Sequence, residues 1–132
     1  MPTFETIEAA RAYFAGDRFA LKNGVIIDAM TENSAVCSFE IGPRHRNAEG
    51  GVMGGAIFTL IDLAFAAAAT QTHKPTVAQQ VSMNFLNGAR GEKLTAKASC
   101  RKDGKTSCVY QVDVSDDQGR DVAQAVVTGF KL

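Results

Sequence analysis

Asp62 stands in the middle of the most apolar stretch of the chain, Gly54-Gly-Ala-Ile-Phe-Thr-Leu-Ile-Asp-Leu-Ala-Phe-Ala-Ala-Ala-Ala69, directly behind the run Gly50-Gly51-Val52-Met53-Gly54-Gly55. An ionised carboxylate enclosed by Phe58, Leu60, Ile61 and Phe65 is costly unless it is paired or neutralised. Asp62 is therefore a candidate general base or nucleophile. The plainer explanations are a neutral structural hydrogen bond and an Asp that reaches solvent past small alanines. The glycines supply a complement to the acid. A helix opening at Gly54-Gly55 presents N–H groups without helical partners at the positive end of its dipole, and glycine lets a ligand come close to that backbone. Gly54 is thus the candidate donor to an oxygen that becomes negative during reaction, a tight turn into the helix being the simpler role of the same glycines.

Spacing adds a geometric expectation. Gly54 and Asp62 are eight residues apart in sequence, or about 12 Å along a helix. One reacting carbonyl cannot touch both. The base that faces a given Gly54 should come from a second copy of the chain, with two helices antiparallel across a two-fold axis and two equivalent sites per homodimer.

The elements that must position these residues follow from periodicity. Phe4 to Ala15 carries apolar residues at helical spacing and stops at Gly16-Asp17, with a short irregular or helical turn after it. Gly24 to Met30 and Ser34 to Ile41 read as strands around a Thr31-Glu32-Asn33 loop, and a polar stretch from Gly42 to Glu49 leads into the glycines. The helix from about Gly54 to Thr72 is the only sizeable one. Beyond it, Thr76 to Leu86, Lys93 to Lys102, Thr106 to Ser115 and Arg120 to Lys131 alternate as antiparallel strands, with tight connections at Asp103-Gly104 and Asp117-Gln118-Gly119. A helix apolar nearly all round needs cover on several sides, and a curved antiparallel sheet wrapped around it gives an α+β domain.

Composition bounds the function. The 132 residues, 45% hydrophobic, suit a single domain over 1–132. Fourteen basic and fourteen acidic side chains cancel and no basic tract stands out, so neither nucleic acid nor an anionic membrane surface is the expected partner. Cys37, Cys100 and Cys108 fall on the apolar phase of alternating segments and read as core hydrophobes. Their odd number, the absence of metal-ligand spacing and an N-terminus without a signal pattern argue against a disulfide framework, a metal site and secretion, and place the chain in the cytoplasm. The run from Val52 to Ala69 approaches membrane-spanning length, but Asp62, Thr59 and the glycine pair interrupt it, so a buried helix of a soluble protein is expected.

The segment His45-Arg-Asn47-Ala-Glu-Gly-Gly-Val-Met53-Gly54-Gly55 leading to Asp62, the strand Val81-Ser-Met-Asn84-Phe-Leu86, the turn at Gly104-Lys105 and the closing Asp121 to Phe130 resemble the hotdog-fold thioesterases. The branch is that of the phenylacetate-degradation acyl-CoA thioesterases, and the resemblance runs from about Gly24 to the C-terminus. It implies a hotdog fold with an extra N-terminal helix, hydrolysis of an acyl-CoA thioester carrying a medium, branched or aromatic acyl group, and coenzyme A only as part of the substrate, with no separate cofactor. It implies a site at the interface of a homodimer, pairing of dimers into a tetramer, and a role for Asn47 in holding the water or the loop. An Asn that bonds local backbone in a turn is the alternative for Asn47.

Two departures stand out. The histidine of the family's His-Gly-Gly triplet is Met53, which cannot donate a hydrogen bond, and the helper Ser or Thr of some relatives is Gln80, whose longer side chain still orients a water. Met53, Gly55, Phe58 and Phe65 are the expected substrate contacts. His45 reads as a loop histidine and His73 as a cap on the helix C-terminus. Arg44, Arg46, Arg90, Lys102 and Lys105 are scattered candidates for coenzyme A phosphates, with solvated surface charge the default for each. A hydratase of the same fold would need a histidine where Ala48 stands. A binder of acyl-CoA that does not turn it over would need the same pocket and would account for Met53. Dinucleotide and nucleotide loops fail on glycine spacing and on the missing Lys-Ser/Thr ending.

Overall fold

The computed structural model describes residues 2–132. Two short helices, α1 (Ile7–Phe14) and α2 (Arg18–Lys22), precede strands β1 (Ile26–Met30) and β2 (Ser34–Glu40). A 3-10 turn at Pro43–His45 leads to the long helix α3 (Gly54–Thr72), and β3 (Thr76–Phe85), β4 (Lys93–Asp103), β5 (Ser107–Asp116) and β6 (Asp121–Lys131) complete the chain. The strands form one antiparallel sheet in the order β1-β2-β4-β5-β6-β3. This is the expected α+β hotdog architecture, a sheet curled around one central helix.

Small residues let the sheet come close to the helix. Ala35 and Cys37 on β2, Ala96 and Ala98 on β4, and Ala123 and Ala125 on β6 are buried against Leu60, Ile61, Ala64, Ala67 and Ala68 of α3. At Gly129 the approach is closer still, since a Cβ there would lie 2.7 Å from both the Phe65 ring and Cys108 Sγ. The N-terminal helix starts three residues later than its periodicity suggests. Thr6 caps it by accepting the Ala9 N–H at 3.1 Å, while Phe4 is held outside by the Gln71 side chain, which accepts its N–H at 2.8 Å and donates to its carbonyl at 3.1 Å.

The cover of α3 is incomplete, and this corrects the expectation of an enclosed Asp62. Gly55, Phe58 and Asp62 are exposed and Thr59 and Ala66 half-buried, a stripe at helical spacing that the described residues leave open except where α2 borders it near Asp62. Asp62 belongs to this stripe, whereas Leu60, Ile61 and Phe65 point into the sheet. A second unpartnered surface lies at β3, which has a neighbour only on its β6 side and leaves Val77, Phe85 and the following Leu86 exposed.

Candidate active site

The loop ahead of α3 is built by Asn47. Its Oδ1 accepts the N–H groups of Glu49 at 3.0 Å and Gly51 at 3.1 Å, and its own N–H donates to the Gly51 carbonyl at 2.7 Å. Gly50 takes φ +86°, which a side chain would strain. Asn47 thus fills the turn-building role in this chain. The loop delivers Met53 as the N-cap residue of α3, extended at φ −69° and ψ 146°, with a carbonyl that accepts from Ala56 at 3.0 Å and Ile57 at 3.3 Å. Among the described residues, the N–H groups of Gly54 and Gly55 have no acceptor. Two unoccupied amides therefore point out of the helix N-terminus.

These amides sit between two hollows. One is about 120 Å³, almost wholly apolar, and is lined by Val25, Phe39, Met53, Ala56 and Thr59 with Phe19 at its edge. The other is wider, about 540 Å³, and is lined by Asn47, Gly51, Gly54, Phe85, Asn87 and Gly88. At about 100° per residue, Gly55, Ala56 and Thr59 fall on one side of α3 and Gly54 and Ile57 on the other, so the hollows flank the helix end from opposite directions. Gly54 is tight for a local reason too. A Cβ on it would meet the Phe85 ring at 2.9 Å.

Asp62 lies two turns further along and lines a separate cleft of about 280 Å³ with Asp17, Arg18, Phe19, Phe58 and Thr59. Although the carboxylate reaches solvent, the crowd of protein atoms around it pushes its pKa up, and the neighbouring charge of Asp17 pushes it further the same way. Asp17 is itself raised by partial burial. The apolar hollow and this cleft share Phe19 and Thr59 as common walls. Asp62 and Gly54 line different cavities.

The remaining predicted residues divide clearly. Met53 and Gly55 line the apolar hollow, with Met53 Cε folded to 3.0 Å from the position of a Cβ on Gly55, and Phe58 lines the Asp62 cleft. Phe65 does not join them. It is buried in the core with its ring edge-on to Tyr110 at 5.6 Å, because position 65 faces the sheet rather than the stripe, which corrects its assignment as a substrate contact. Gln80 is exposed on the edge strand β3, and none of these three cavities includes it.

His73 caps α3 as expected, and its Nε2 lies 3.0 Å from the Leu132 carbonyl. Arg44 and Arg46 donate to the carbonyls of Lys22 and Gly50, and Arg90, Lys102 and Lys105 are exposed. Cys37 and Cys108 are core residues, and burial, followed by the charge of Asp28, pushes the Cys37 thiol up to about 12.

Sequence reasoning missed the part played by the N-terminal half. His45 is fully buried and stacked on Phe39 at 4.2 Å; its Nδ1 accepts the Gly42 N–H at 2.9 Å, so Nε2 carries the hydrogen and donates to the Asn23 carbonyl at 2.7 Å. It closes the floor of the apolar hollow and has no free nitrogen for catalysis. Asp17 and Phe19, on a turn too short to show periodicity, gave no sequence signal of their place beside Asp62.

Comparison with known proteins gives concordant results. Residues 49–123 match the family model described as the thioesterase superfamily. The chain is 33% identical over 115 residues to the acyl-coenzyme A thioesterase PaaI of Escherichia coli, covering 86% of this chain and 82% of that protein. The solved structure of the E. coli PaaI protein superposes with a TM-score of 0.89 at 28% identity, over 95% of this chain and 91% of that one. A hypothetical thioesterase protein of Streptococcus pneumoniae, solved with coenzyme A, aligns with a TM-score of 0.81 at 27% identity, covering 89% and 94% of the two chains. A Streptococcus mutans protein bound to acetyl-CoA gives 0.77 at 28% identity, covering 81% and 87%.

Proposed function

The chain belongs to the thioesterase superfamily, and from that premise we propose that it hydrolyses acyl-coenzyme A thioesters at a site shared between two copies of itself. The observation that carries this reading is the pairing of an exposed stripe acid, Asp62, with two acceptor-free amides at Gly54 and Gly55 on the same helix. The two features cannot meet one carbonyl within a chain, being about 12 Å apart along the axis. Antiparallel contact of two α3 stripes brings Asp62 of one copy to the amides of the other. The unpaired edge of β3 and the exposed Phe58 and Phe85 give that association apolar surface to bury. The unpaired cysteines fit a reducing compartment such as the cytoplasm.

In the reaction, a water held by Asp62 attacks the thioester carbon and gives its proton to the carboxylate. The carbonyl oxygen becomes negative against the Gly54 and Gly55 amides. The C–S bond then breaks, the thiolate of coenzyme A recovers the proton, and the free acid departs. In the alternative route Asp62 attacks the carbon itself and water resolves the mixed anhydride. Asn47 holds the loop that aims the amides, and Gln80, on the edge strand, serves the partner's site by orienting water.

Replacement of Asp62 by Asn or Ala is expected to lower kcat by roughly 10² to 10⁴ while the dimer still forms, measured by thiol release from a panel of acyl-CoA thioesters and by sedimentation. Retained turnover removes Asp62 from this role. Met53, in place of a hydrogen-bonding residue, supports a second reading: a dimer that binds acyl-CoA without hydrolysing it. Measurable binding with no turnover of any panel member favours that reading.

A further inference from the structure

We propose that His45 is a positioning residue for the reaction: its ring fixes the turn whose carbonyl holds Met53, and through Met53 it aims the Gly54 and Gly55 amides. The assignment rests on the thioesterase reading. It extends that reading to a side chain outside residues 49–123, the stretch matched by the family model.

The ring is locked on all sides. It is 1% exposed and lies on Phe39 of β2 with the two planes 26° apart, so the sheet sets its position. Nδ1 accepts the Gly42 N–H at 2.9 Å while the His45 N–H donates to the Gly42 carbonyl at 3.0 Å, a reciprocal pair that closes the turn Pro43–His45. Nε2 donates to the carbonyl of Asn23, the residue that ends α2. With ring and peptide N–H engaged, the group left over is the His45 carbonyl. It accepts the Met53 N–H at 2.8 Å.

From that bond a short antiparallel ladder runs to the loop tip: Arg46 pairs with Val52, and the Asn47 N–H donates to the Gly51 carbonyl. Asn47 holds the tip, and His45 holds the base, at the end next to the free amides. Met53 is the N-cap of α3 but makes no side-chain cap bond, so the direction in which the helix begins depends on backbone held from His45. The Gly54 N–H is one peptide unit from that bond. A donor to a developing oxyanion acts over a narrow span, roughly 2.7–3.1 Å, and a turn free to relax at Gly42 would let both amides drift out of it. Packing alone does not call for this side chain. Leucine or phenylalanine would fill the space against Phe39, whereas the position needs an acceptor towards Gly42 and a donor towards Asn23 in one rigid plane, which neutral imidazole supplies.

Three variants separate the contributions of the ring. Phenylalanine keeps the stacking and loses both hydrogen bonds. Asparagine puts an amide oxygen near the place of Nδ1 and keeps the turn closed, and glutamine puts an amide nitrogen near the place of Nε2 and keeps only the tie to Asn23. The measurements are kcat and KM by thiol release from acyl-CoA thioesters, urea unfolding of the same preparations, and proton–nitrogen NMR of the Gly54 and Gly55 amides with and without a ketone analogue of acyl-CoA in which a methylene replaces the sulfur. His45→Phe and His45→Gln are expected to lower kcat about tenfold or more with KM within about threefold of wild type. They should also lose most of the downfield shift that the ketone induces in the two amide protons, and His45→Asn should restore both readouts. Equal kcat in His45→Gln and His45→Asn overturns the proposal, a comparison that stands even where the phenylalanine variant fails to fold. Lower urea midpoints in all three variants with kcat per folded protein unchanged overturn it as well, and leave the hydrolase reading in place. Wild-type protein that hydrolyses nothing while the amide shifts keep the expected order fails the hydrolase reading and leaves His45 assigned.

Discussion

Gly54→Ala separates the two reasons for a glycine at the start of α3. A methyl group there would lie 2.9 Å from Phe85 Cζ and 3.3 Å from Cε1. The ring is 57% exposed at the end of an edge strand, so it can swing away at the cost of a poorer rotamer, roughly 0.5–1.5 kcal/mol. Against this, alanine is worth roughly 0.4–1 kcal/mol over glycine where the backbone conformation is ordinary, and Gly54 is not among the glycines with positive φ. Stability should therefore stay within about 1 kcal/mol of wild type, a shift hard to see in a urea midpoint. Activity should respond differently. The methyl group projects into the wide hollow beside the free amide and holds the thioester oxygen off it. Loss of one such donor costs about 10²–10³ in kcat, or roughly 2.7–4 kcal/mol. The assay is thiol release at saturating acyl-CoA beside urea unfolding of the same preparation. Activity within threefold of wild type would mean that Gly54 is glycine only to clear Phe85. Recovery in Gly54→Ala/Phe85→Leu would show that the displaced ring caused the loss.

Two further outcomes concern charge. Burial and the charge of Asp17 both raise Asp62, and a base works in its ionised form, so the acid limb of kcat/KM should lie above the ordinary carboxylate range. Asp17→Asn removes the smaller cause and should move that limb to lower pH without abolishing turnover; Arg18 is the other charged group in the cleft. An unmoved limb in a pH–rate profile would deny the coupling. Asp116, at the β5–β6 turn, is pulled up by burial, but the N–H groups of Arg120, Arg90 and Gln118 and the Arg120 charge outweigh that and hold it low. A depressed carboxylate stabilises the fold above its unfolded pKa and loses that contribution as pH falls through the folded one. The urea midpoint of Asp116→Asn should thus fall below wild type at neutral pH, and the gap should close on acidification below the ordinary carboxylate range. A gap constant with pH would assign the loss to packing.

Strand and helix spans were legible because alternation and the Asp-Gly and Asp-Gln-Gly turns are local signals, and α3 was legible because its apolar run is long. Side-chain direction around α3 was less so. Ala, Ile, Leu and Phe occupy so many positions that no polar face marks the uncovered stripe, and Phe58 and Phe65 look alike in sequence although one is exposed and the other packs edge-on to Tyr110. The apolar hollow was invisible for another reason. It joins Phe19, Phe39 and Met53 across three elements distant in sequence, and a histidine in a polar segment gives no sign that both its nitrogens are bonded to backbone.

The same geometry that hides the site from one chain gives the sharpest test of it. Take a subunit carrying Asp62→Asn and another carrying Gly54→Ala. If base and amide come from different copies, the mixed dimer has one site that draws Gly54 from the first and Asp62 from the second, both intact, and another in which both are lost. Refolding an equal mixture yields about half mixed dimers by chance, and with one working site in two the preparation should recover about a quarter of wild-type activity from two nearly inactive parents. If each site lies within one chain, every site in every dimer carries a lesion and mixing restores nothing. Activity that stays at the parental level after subunit exchange, confirmed by differential tagging of the two variants, would overturn the shared site and with it the reading of the exposed α3 stripe as half of a catalytic centre.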